Sequence, residues 1–209
     1  MACSSVRPGR WTCGGRPTLR PPRDEPTPRK RARPAGPPRS HVERTGRDAD
    51  PDALAAWTFR PIGVVRSPWR YVHDAPRQPT PARPESATIV LRKGMQNCLL
   101  DLRGFERVWI VYVLSFARGW KPTVVPPRDV KRHGVLATRS PHRPNPIGLT
   151  AARLVSVRGR EIVVAEHDLL DGTPVLDIKP YVPYCDAYPG AVAGWVDALP
   201  PDAPDHRWR

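Results

Sequence analysis

A short loop crowded with prolines and polar side chains is the part of this sequence best suited to chemistry. Residues 137–150 read ATRSPHRPNPIGLT, with prolines at positions 141, 144 and 146. Proline fixes its own φ and restricts the residue before it, so Ser140, Arg143 and Asn145 are predicted to be extended and no part of the loop to lie inside a helix. The Arg, His and Asn side chains then have little conformational entropy left to lose on binding. The loop is therefore predicted to bind a ligand.

A second polar segment follows further along the chain. Residues 168–181 read DLLDGTPVLDIKPY. Asp171 and Gly172 are typical of a tight turn in which the Asp side chain caps its own backbone. The alternation after the turn predicts a strand with Val175, Asp177 and Lys179 on one face and Leu176 and Ile178 on the other. Asp177 and Lys179 could form an ion pair that supports the sheet, or Asp177 could orient a neighbouring functional group.

These two strings, together with Pro76, Arg77 and Gln78 upstream, resemble the TsaA-like (TrmO) family of transfer-RNA methyltransferases that use S-adenosylmethionine (SAM). The resemblance covers about residues 57–190 and rests on long, unusual strings. It implies a mainly β fold, a small antiparallel barrel with a few short helices and unrelated to the Rossmann type, acting as a homodimer. It further implies methylation of N6 of threonylcarbamoyladenosine at position 37, next to the anticodon.

The same resemblance implies roles for individual residues. The expected cofactor contacts are Pro76, Arg77, Gln78, Ser115, Phe116, Arg139, Leu149, Asp168, Leu169, Leu170, Asp171, Gly172 and Thr173. The expected substrate contacts are Asn145, Lys179 and Tyr181. Methyl transfer needs alignment of the reactants and a route for the departing proton. The candidates for acid–base catalysis or for polarising the carbamoyl carbonyl are Asp177, His142, Arg143 and Asp171.

Several of these positions also have a purely structural interpretation. Arg139 carries a planar fork of donors that suits a carboxylate or phosphate, but it could instead bond carbonyls of its own loop. Tyr181 could stack on an unpaired base or fill the end of the barrel. Many relatives carry a His shortly after the central strand, where this chain has Ser115 and Phe116. A specific imidazole contact is thus absent from this chain.

Two other functions fit the same residues. A SAM site of this kind could methylate a different nucleoside or a small molecule, or a basic barrel could hold RNA without chemistry. A Rossmann-type nucleotide site is not supported, because the sequence has no G-x-G-x-x-G and no phosphate-binding loop. The four cysteines, Cys3, Cys13, Cys98 and Cys185, lack metal-ligand spacing, so neither a metal site nor a disulfide framework is predicted.

Alternating and apolar runs predict the elements that must position these loops. Strands are expected near residues 59–67, 87–91, 108–114, 134–138, 147–157 and 161–165, and one or two helical turns at 95–102. The run at 108–114 is apolar on both faces and is predicted to be a central buried strand. A hairpin is expected across Arg158 and Gly159. These strands predict a barrel or a sandwich, and the family resemblance selects the barrel.

Composition divides the chain of 209 residues. Residues 1–50 hold 12 of the 34 basic residues, five acidic residues and nine prolines, and are predicted to be a disordered extension before a domain at 57–190 and a tail at 191–209. The rest of the chain keeps 22 basic against 15 acidic residues, which favours a polyanionic partner such as the tRNA anticodon loop. Since only five of the basic residues are lysine, a bias toward Arg, Pro and Ala is an alternative explanation. No apolar run suggests a membrane or secretory segment, and a cytoplasmic protein is expected.

Overall fold

Alternating apolar residues fold into a closed antiparallel barrel. The computed structural model describes residues 50–200. The strands are β1 (Gly63–Arg66), β2 (Ser86–Leu91), β3 (Arg107–Val113), β4 (Thr123–Val124), β5 (His133–Gly134), β6 (Ile147–Arg158), β7 (Glu161–Ala165) and β8 (Pro174–Pro180). The barrel has the order β1-β2-β7-β6-β3-β8 and closes from β8 to β1, while β4 and β5 form a separate two-stranded ribbon. The expected barrel is confirmed.

Helical structure among the described residues is limited to single turns. The α-helix α1 spans Pro183–Asp186, and 3-10 turns span Pro51–Ala53, Gln96–Leu99, Leu102–Gly104, Val135–Ala137 and Gly194–Val196. Within residues 50–200, no helix has the length and apolar character needed to cross a membrane. The chain divides into two units between Ala56 and Trp57, and all eight strands belong to the second.

The strand β3 shows how the barrel sorts side chains. Val108, Ile110 and Tyr112 are buried in the interior, whereas Arg107 and Trp109 are only half-buried. The prediction that this strand is buried on both faces is wrong. A closed barrel has one interior, so successive residues alternate between the core and the outer wall even where both sets are apolar. The outward-facing residues of β3 are therefore available to line a site on the exterior of the barrel.

A β-bulge in β8 changes the predicted faces of that strand. Val111 of β3 pairs with Asp177, but the next residue, Tyr112, pairs with Val175, which leaves Leu176 as the extra residue. Val175 is fully buried and Ile178 packs against the same core. The prediction that Val175 and Asp177 share a face is wrong, because the bulge inverts the alternation after Leu176.

Of the other predicted elements, three strands and the hairpin turn are confirmed and one strand is wrong. The strands near 87–91, 147–157 and 161–165 are confirmed, as is the hairpin turn, where Gly159 has a φ of 57°. The predicted strand at 134–138 is wrong beyond Gly134. Its backbone turns instead, because the N–H and hydroxyl groups of Thr138 both donate to the carbonyl of Val135. The predictions for residues 1–49 and 201–209 lie outside the described residues.

A buried histidine beside the core predicts sensitivity to acid. His167 is fully buried, its Nδ1 accepts a hydrogen bond from the Leu169 N–H (3.1 Å), and its ring centroid lies 4.4 Å from that of Trp69. Burial lowers the pKa of His167 from 6.5 to about 4. Because the folded state resists protonation of this ring, its contribution to stability is full above pH 6.5 and is lost as the pH falls toward 4.

We therefore expect the free energy of unfolding to fall more steeply with acid in the wild type than in His167→Gln. Urea unfolding at a series of pH values between 7 and 4 measures both slopes. The exposed His142, replaced by Gln, serves as a control for the loss of an ionisable group and should keep the wild-type slope. Parallel curves for His167→Gln and the wild type would contradict the expectation.

Candidate active site

A cleft of about 390 Å³ opens on the outer wall of the barrel. Outward-facing residues of β3 and β6 form its floor, and residues 78–81 and the segment around Tyr181 and Asp186 form its sides. This volume lies within the range of about 300–1,000 Å³ that is typical of small-molecule sites. Three residues expected at a cofactor, Gln78, Arg139 and Leu149, line the cleft together, as does Tyr181, which was expected at the substrate.

Arg139 and Gln78 define one end of the cleft. An Nη1 proton of Arg139 is donated to Oε1 of Gln78, and Nε2 of Gln78 donates in turn to the carbonyl of Arg77 (2.7 Å). Leu149 is 56% exposed and gives this end an apolar surface. The guanidinium is thus oriented by a neutral amide, and within residues 50–200 it forms no ion pair, although the nearby Asp168 carboxylate interacts with its charge. Arg139 keeps its charge and most of its donors for a ligand.

The proline-rich loop holds its shape by bonding to itself. Nη1 of Arg143 donates to the carbonyls of Thr138 (3.2 Å) and Ser140 (3.5 Å), which ties the loop across its base. The exposed ring of His142 has its Nδ1 3.1 Å from the carbonyl of Arg118. Neither side chain lines the cleft. The loop-bonding role considered for Arg139 therefore belongs to Arg143.

A half-buried carboxylate, Asp168, lies behind Thr150, which lines the cleft. The Thr150 hydroxyl donates to Oδ1 of Asp168. Burial raises the pKa of Asp168, and the Thr150 hydrogen bond and the nearby Arg139 charge partly oppose that rise. The pKa of the neighbouring Tyr112 is raised by its own burial and by the Asp168 charge. The site thus contains a carboxylate whose proton affinity exceeds that of an ordinary Asp.

An arginine–carboxylate cluster occupies the other end. Glu166 accepts hydrogen bonds from Nη2 of Arg107 and from Nε of Arg153 (2.8 Å), and these bonds lower its pKa. Its φ of 54° lies in the left-handed region that non-glycine residues rarely adopt. Two guanidinium groups on one carboxylate leave a net positive charge at this end.

Two aromatic rings line the wall between the ends. The Trp109 and Tyr181 ring centroids are 5.5 Å apart and the planes are inclined by 47°. Nε1 of Trp109 donates to Oδ2 of Asp186 (3.0 Å), which also accepts from the Val182 N–H (2.8 Å) and so fixes α1 against the strand. Sequence reasoning missed Arg107, Trp109, Glu166 and Asp186. The period-two alternation of Arg107 and Trp109 with buried Val108 was the available signal.

The segment of residues 169–173 lies elsewhere, against β1. Oδ1 of Asp171 accepts a hydrogen bond from the Ser67 N–H (3.0 Å), and the Gly172 N–H donates to the carbonyl of Val65 (2.9 Å). Leu169 and Thr173 are buried, and Leu170 is half-buried. These residues do not line the cleft; Asp168 alone connects the segment to it through Thr150 and Arg139.

The remaining sequence candidates also lie outside the cleft lining. Asp177 forms an ion pair with Lys179 (2.7 Å) on the barrel exterior, which matches the structural interpretation of the pair. Ser115, Phe116 and Asn145 are exposed, whereas Pro76 and Arg77 are half-buried beside Gln78. Residues 50–200 contain no group of three His, Cys, Asp or Glu side chains that could hold a metal ion.

The donor set of the cleft fits a small ligand that carries both a carboxylate and an aromatic or cationic part. Arg139 offers a bidentate partner for a carboxylate. Trp109 and Tyr181 offer ring faces, which attract cations and stack on bases. SAM contains a carboxylate, a sulfonium and an adenine, so these residues suit it.

Comparisons with known proteins find similar sequences and a similar fold. Residues 64–187 match the family model of the tRNA-methyltransferase O N-terminal domain. A probable S-adenosyl-L-methionine-binding protein of Pyrococcus abyssi is 37% identical over 139 residues, which cover 66% of this chain and 76% of that protein. The tRNA (adenine(37)-N6)-methyltransferase of Escherichia coli is 36% identical over 157 residues, 70% of this chain and 67% of that enzyme. The crystal structure of TrmO from Pseudomonas aeruginosa superposes with a TM-score of 0.60 at 38% identity, covering 70% of this chain and 66% of that one.

Proposed function

Because the chain belongs to the tRNA-methyltransferase O (TrmO) family, we propose that it methylates N6 of the adenosine at position 37 of tRNA, with SAM as the methyl donor. We further propose that the adenosine is methylated in its threonylcarbamoylated form. The observation that carries the proposal is the convergence of Gln78 with Arg139 and Leu149, from two segments about 60 residues apart, in one cleft. When bound there, SAM supplies a methyl group on a positively charged sulfur, which needs no metal for its transfer.

Arg139 and Gln78 act on the cofactor's carboxylate end. The Arg139 guanidinium presents two parallel N–H donors to a carboxylate, and the Gln78 amide fixes the direction in which they point. Leu149 covers the adjoining apolar surface. Orientation of this kind is the main catalytic device available, because an in-line displacement depends on alignment more than on chemical groups.

Tyr181 and Trp109 act on the target nucleoside. Their rings line the wall of the cleft between Arg139 and the Arg107–Glu166 pair, so an unpaired purine can stack on them. Arg107 lines the same cleft, so its guanidinium can attract a negatively charged group on such a base, such as the threonyl carboxylate. The substrate roles of Asn145 and Lys179 stay predictions, because both side chains lie outside the cleft lining.

In this proposal Asp168 lies behind the cleft lining and takes up the N6 proton through the Thr150 hydroxyl, which lines the cleft and donates to Oδ1 of Asp168. Its raised pKa makes it a better base than an exposed Asp, and the proton would leave as the N–CH₃ bond forms. The roles considered for Asp177, His142 and Arg143 stay predictions. Asp177 is paired with Lys179, and Arg143 bonds its own loop, which favours Asp168 over either.

Asp168→Asn is expected to lower kcat by about 10²- to 10⁴-fold, as for loss of a general base, because Asn keeps an acceptor for Thr150 but cannot take a proton. The KM for SAM should change little. Steady-state kinetics across pH measures this, and since the Asp168 pKa is raised, wild-type kcat should begin to fall at a higher pH than an ordinary Asp would give. Asp101→Asn, which removes an exposed carboxylate outside the cleft, is the control. An unchanged kcat in Asp168→Asn would exclude the role.

The decisive test of the function is mass spectrometry of nucleosides from threonylcarbamoylated tRNA incubated with the purified protein and SAM. The proposal requires a product heavier by one methyl group on N6-threonylcarbamoyladenosine. A parallel reaction on tRNA with unmodified adenosine at position 37 tests the substrate form. Methylation of the unmodified tRNA alone would overturn the threonylcarbamoyl assignment, and no methylation of either tRNA would overturn the function.

We propose further that the protein is a homodimer in the cytoplasm. Ile147 and Leu149 point outward from β6 with 43% and 56% of their surfaces exposed. Exposed apolar side chains of this kind are often covered by a partner, here a second copy of the chain. Cys98 and Cys185 are free and exposed, which suits a reducing compartment. Light scattering on the purified protein tests the first point, and a monomer at micromolar concentration would contradict it.

A further inference from the structure

The segment around β4 and β5 carries the densest run of positive charge among the described residues of the barrel unit. Its cations are Arg118, Lys121, Arg128, Lys131 and Arg132, all exposed, and we refer to residues 118–132 as the basic ribbon. Four of them, Arg118, Lys121, Lys131 and Arg132, form no ion pair within residues 50–200. Exposed cations without partners are available to a polyanion.

The one acidic residue of the basic ribbon, Asp129, bonds to the backbone of the ribbon and to the adjacent His133. Oδ2 of Asp129 lies 2.7 Å from Nε2 of His133, and its Oδ1 accepts from the N–H groups of Val130 (2.6 Å) and Lys131 (3.1 Å). These bonds hold the pKa of Asp129 below its usual range. The carboxylate shapes the turn and is not placed to neutralise the surrounding cations.

The basic ribbon is fastened directly to the loop that carries Arg139. The Val135 N–H donates to the carbonyl of Pro122 (2.9 Å), and Nδ1 of His142 contacts the carbonyl of Arg118 (3.1 Å). The ring of His133 also stacks on that of Trp195, at a centroid distance of 4.2 Å. A ligand bound along this surface would therefore be held beside the proline-rich loop at one end of the cleft.

We propose that the basic ribbon docks the sugar–phosphate backbone of the RNA whose base enters the cleft. The proposal rests on the proposed function and adds the surface that holds the substrate's backbone. Arg and Lys neutralise phosphates and release counterions, which supplies most of the sequence-independent affinity for nucleic acid. Trp120, 53% exposed within the same segment, offers a ring on which an unpaired base can stack. Charge together with an exposed ring favours RNA over a membrane surface.

The test compares two full-length variants that lose the same charge. The ribbon variant carries Arg118→Gln, Lys121→Gln, Lys131→Gln and Arg132→Gln. The control variant carries Arg66→Gln, Arg92→Gln, Lys93→Gln and Arg158→Gln, four exposed cations elsewhere on the barrel. Unmodified tRNA transcript is the probe, and its Kd is measured against salt concentration, with the Kd for SAM and the Tm recorded for each protein.

We expect the ribbon variant to bind the transcript at least about tenfold more weakly than the control variant. The slope of log K against log salt should fall by about 3, since each lost phosphate contact removes about 0.7–0.9. Its Kd for SAM and its Tm should match those of the control. Equal transcript affinity and slope in the two variants would overturn the proposal, even if the wild type methylates tRNA. Loss of binding to vesicles of anionic lipid, with RNA binding retained, would overturn it in favour of a membrane surface.

The outcomes separate this proposal from the proposed function. If the wild type methylates tRNA but the ribbon variant binds RNA as tightly as the control variant does, only the docking proposal is overturned. If the wild type binds tRNA through the basic ribbon but does not methylate it, the docking proposal is supported and the proposed enzymatic function is overturned. A wild type that binds no tRNA overturns both.

Discussion

Arg139→Ala is expected to abolish detectable methyl transfer and to weaken SAM binding by about 10- to 150-fold. Hydrogen bonds to a charged group contribute about 1.5–3 kcal/mol, which corresponds to that range of affinity. The loss in kcat/KM should be larger still, because a misaligned methyl donor also loses the in-line geometry of the displacement. The expected effect is large because a neutral amide, Gln78, orients the Arg139 guanidinium and leaves its charge available to the ligand.

Isothermal titration with SAM and single-turnover methylation of tRNA measure the two effects separately. Arg139→Lys keeps the charge but not the planar fork, so it should recover little of the affinity. Arg158→Ala removes an exposed arginine from the β6–β7 hairpin and should behave as the wild type does. Wild-type affinity for SAM in Arg139→Ala, with the fold intact, would place the cofactor outside this cleft.

The largest effect on folding is expected from Gly148→Ala. A Cβ at this position would lie 2.3 Å from Cζ and 2.4 Å from Cε2 of Tyr112. Tyr112 on β3 is the direct pairing partner of Gly148 on β6. Tyr112 is buried and its ring cannot move without displacing the core. Overpacking of this kind costs about 1–3 kcal/mol and sometimes more. We expect a matching fall in the free energy of unfolding, measured by urea denaturation.

Gly134→Ala provides the matched control, because a Cβ there meets no atom within 4 Å. A double-mutant cycle with Tyr112→Leu identifies the cause. If the ring is the obstacle, Gly148→Ala should cost much less in the Tyr112→Leu background than alone. Equal losses in the two backgrounds, or equal stability of Gly148→Ala and Gly134→Ala, would show that Tyr112 does not require the glycine.

Local features of the fold were predictable because they depend on neighbouring residues. Proline geometry indicated the loop between Ala137 and Ile147, and period-two alternation indicated most of the barrel strands. Arg158 and Gly159 marked the hairpin, whose glycine adopts the positive φ that the turn requires. The long strings around Arg139 and Asp171 also sufficed to identify the family. In each case the signal lies within a few residues of the structure it specifies.

The sequence by itself thus determined most of the barrel strands, the position of the proline-rich loop and the family, whereas only the tertiary structure decided which residues meet. Arg139 reaches Gln78 across 61 positions, and Trp109 reaches Asp186 across 77. Barrel closure turned Arg107 and Trp109 outward into the cleft, and the bulge at Leu176 reset the faces of β8. Closure and register depend on the pairing of all six barrel strands, so no local pattern contains them. For that reason Asp171 packs against β1, while Asp168, three residues earlier, stands behind the cleft.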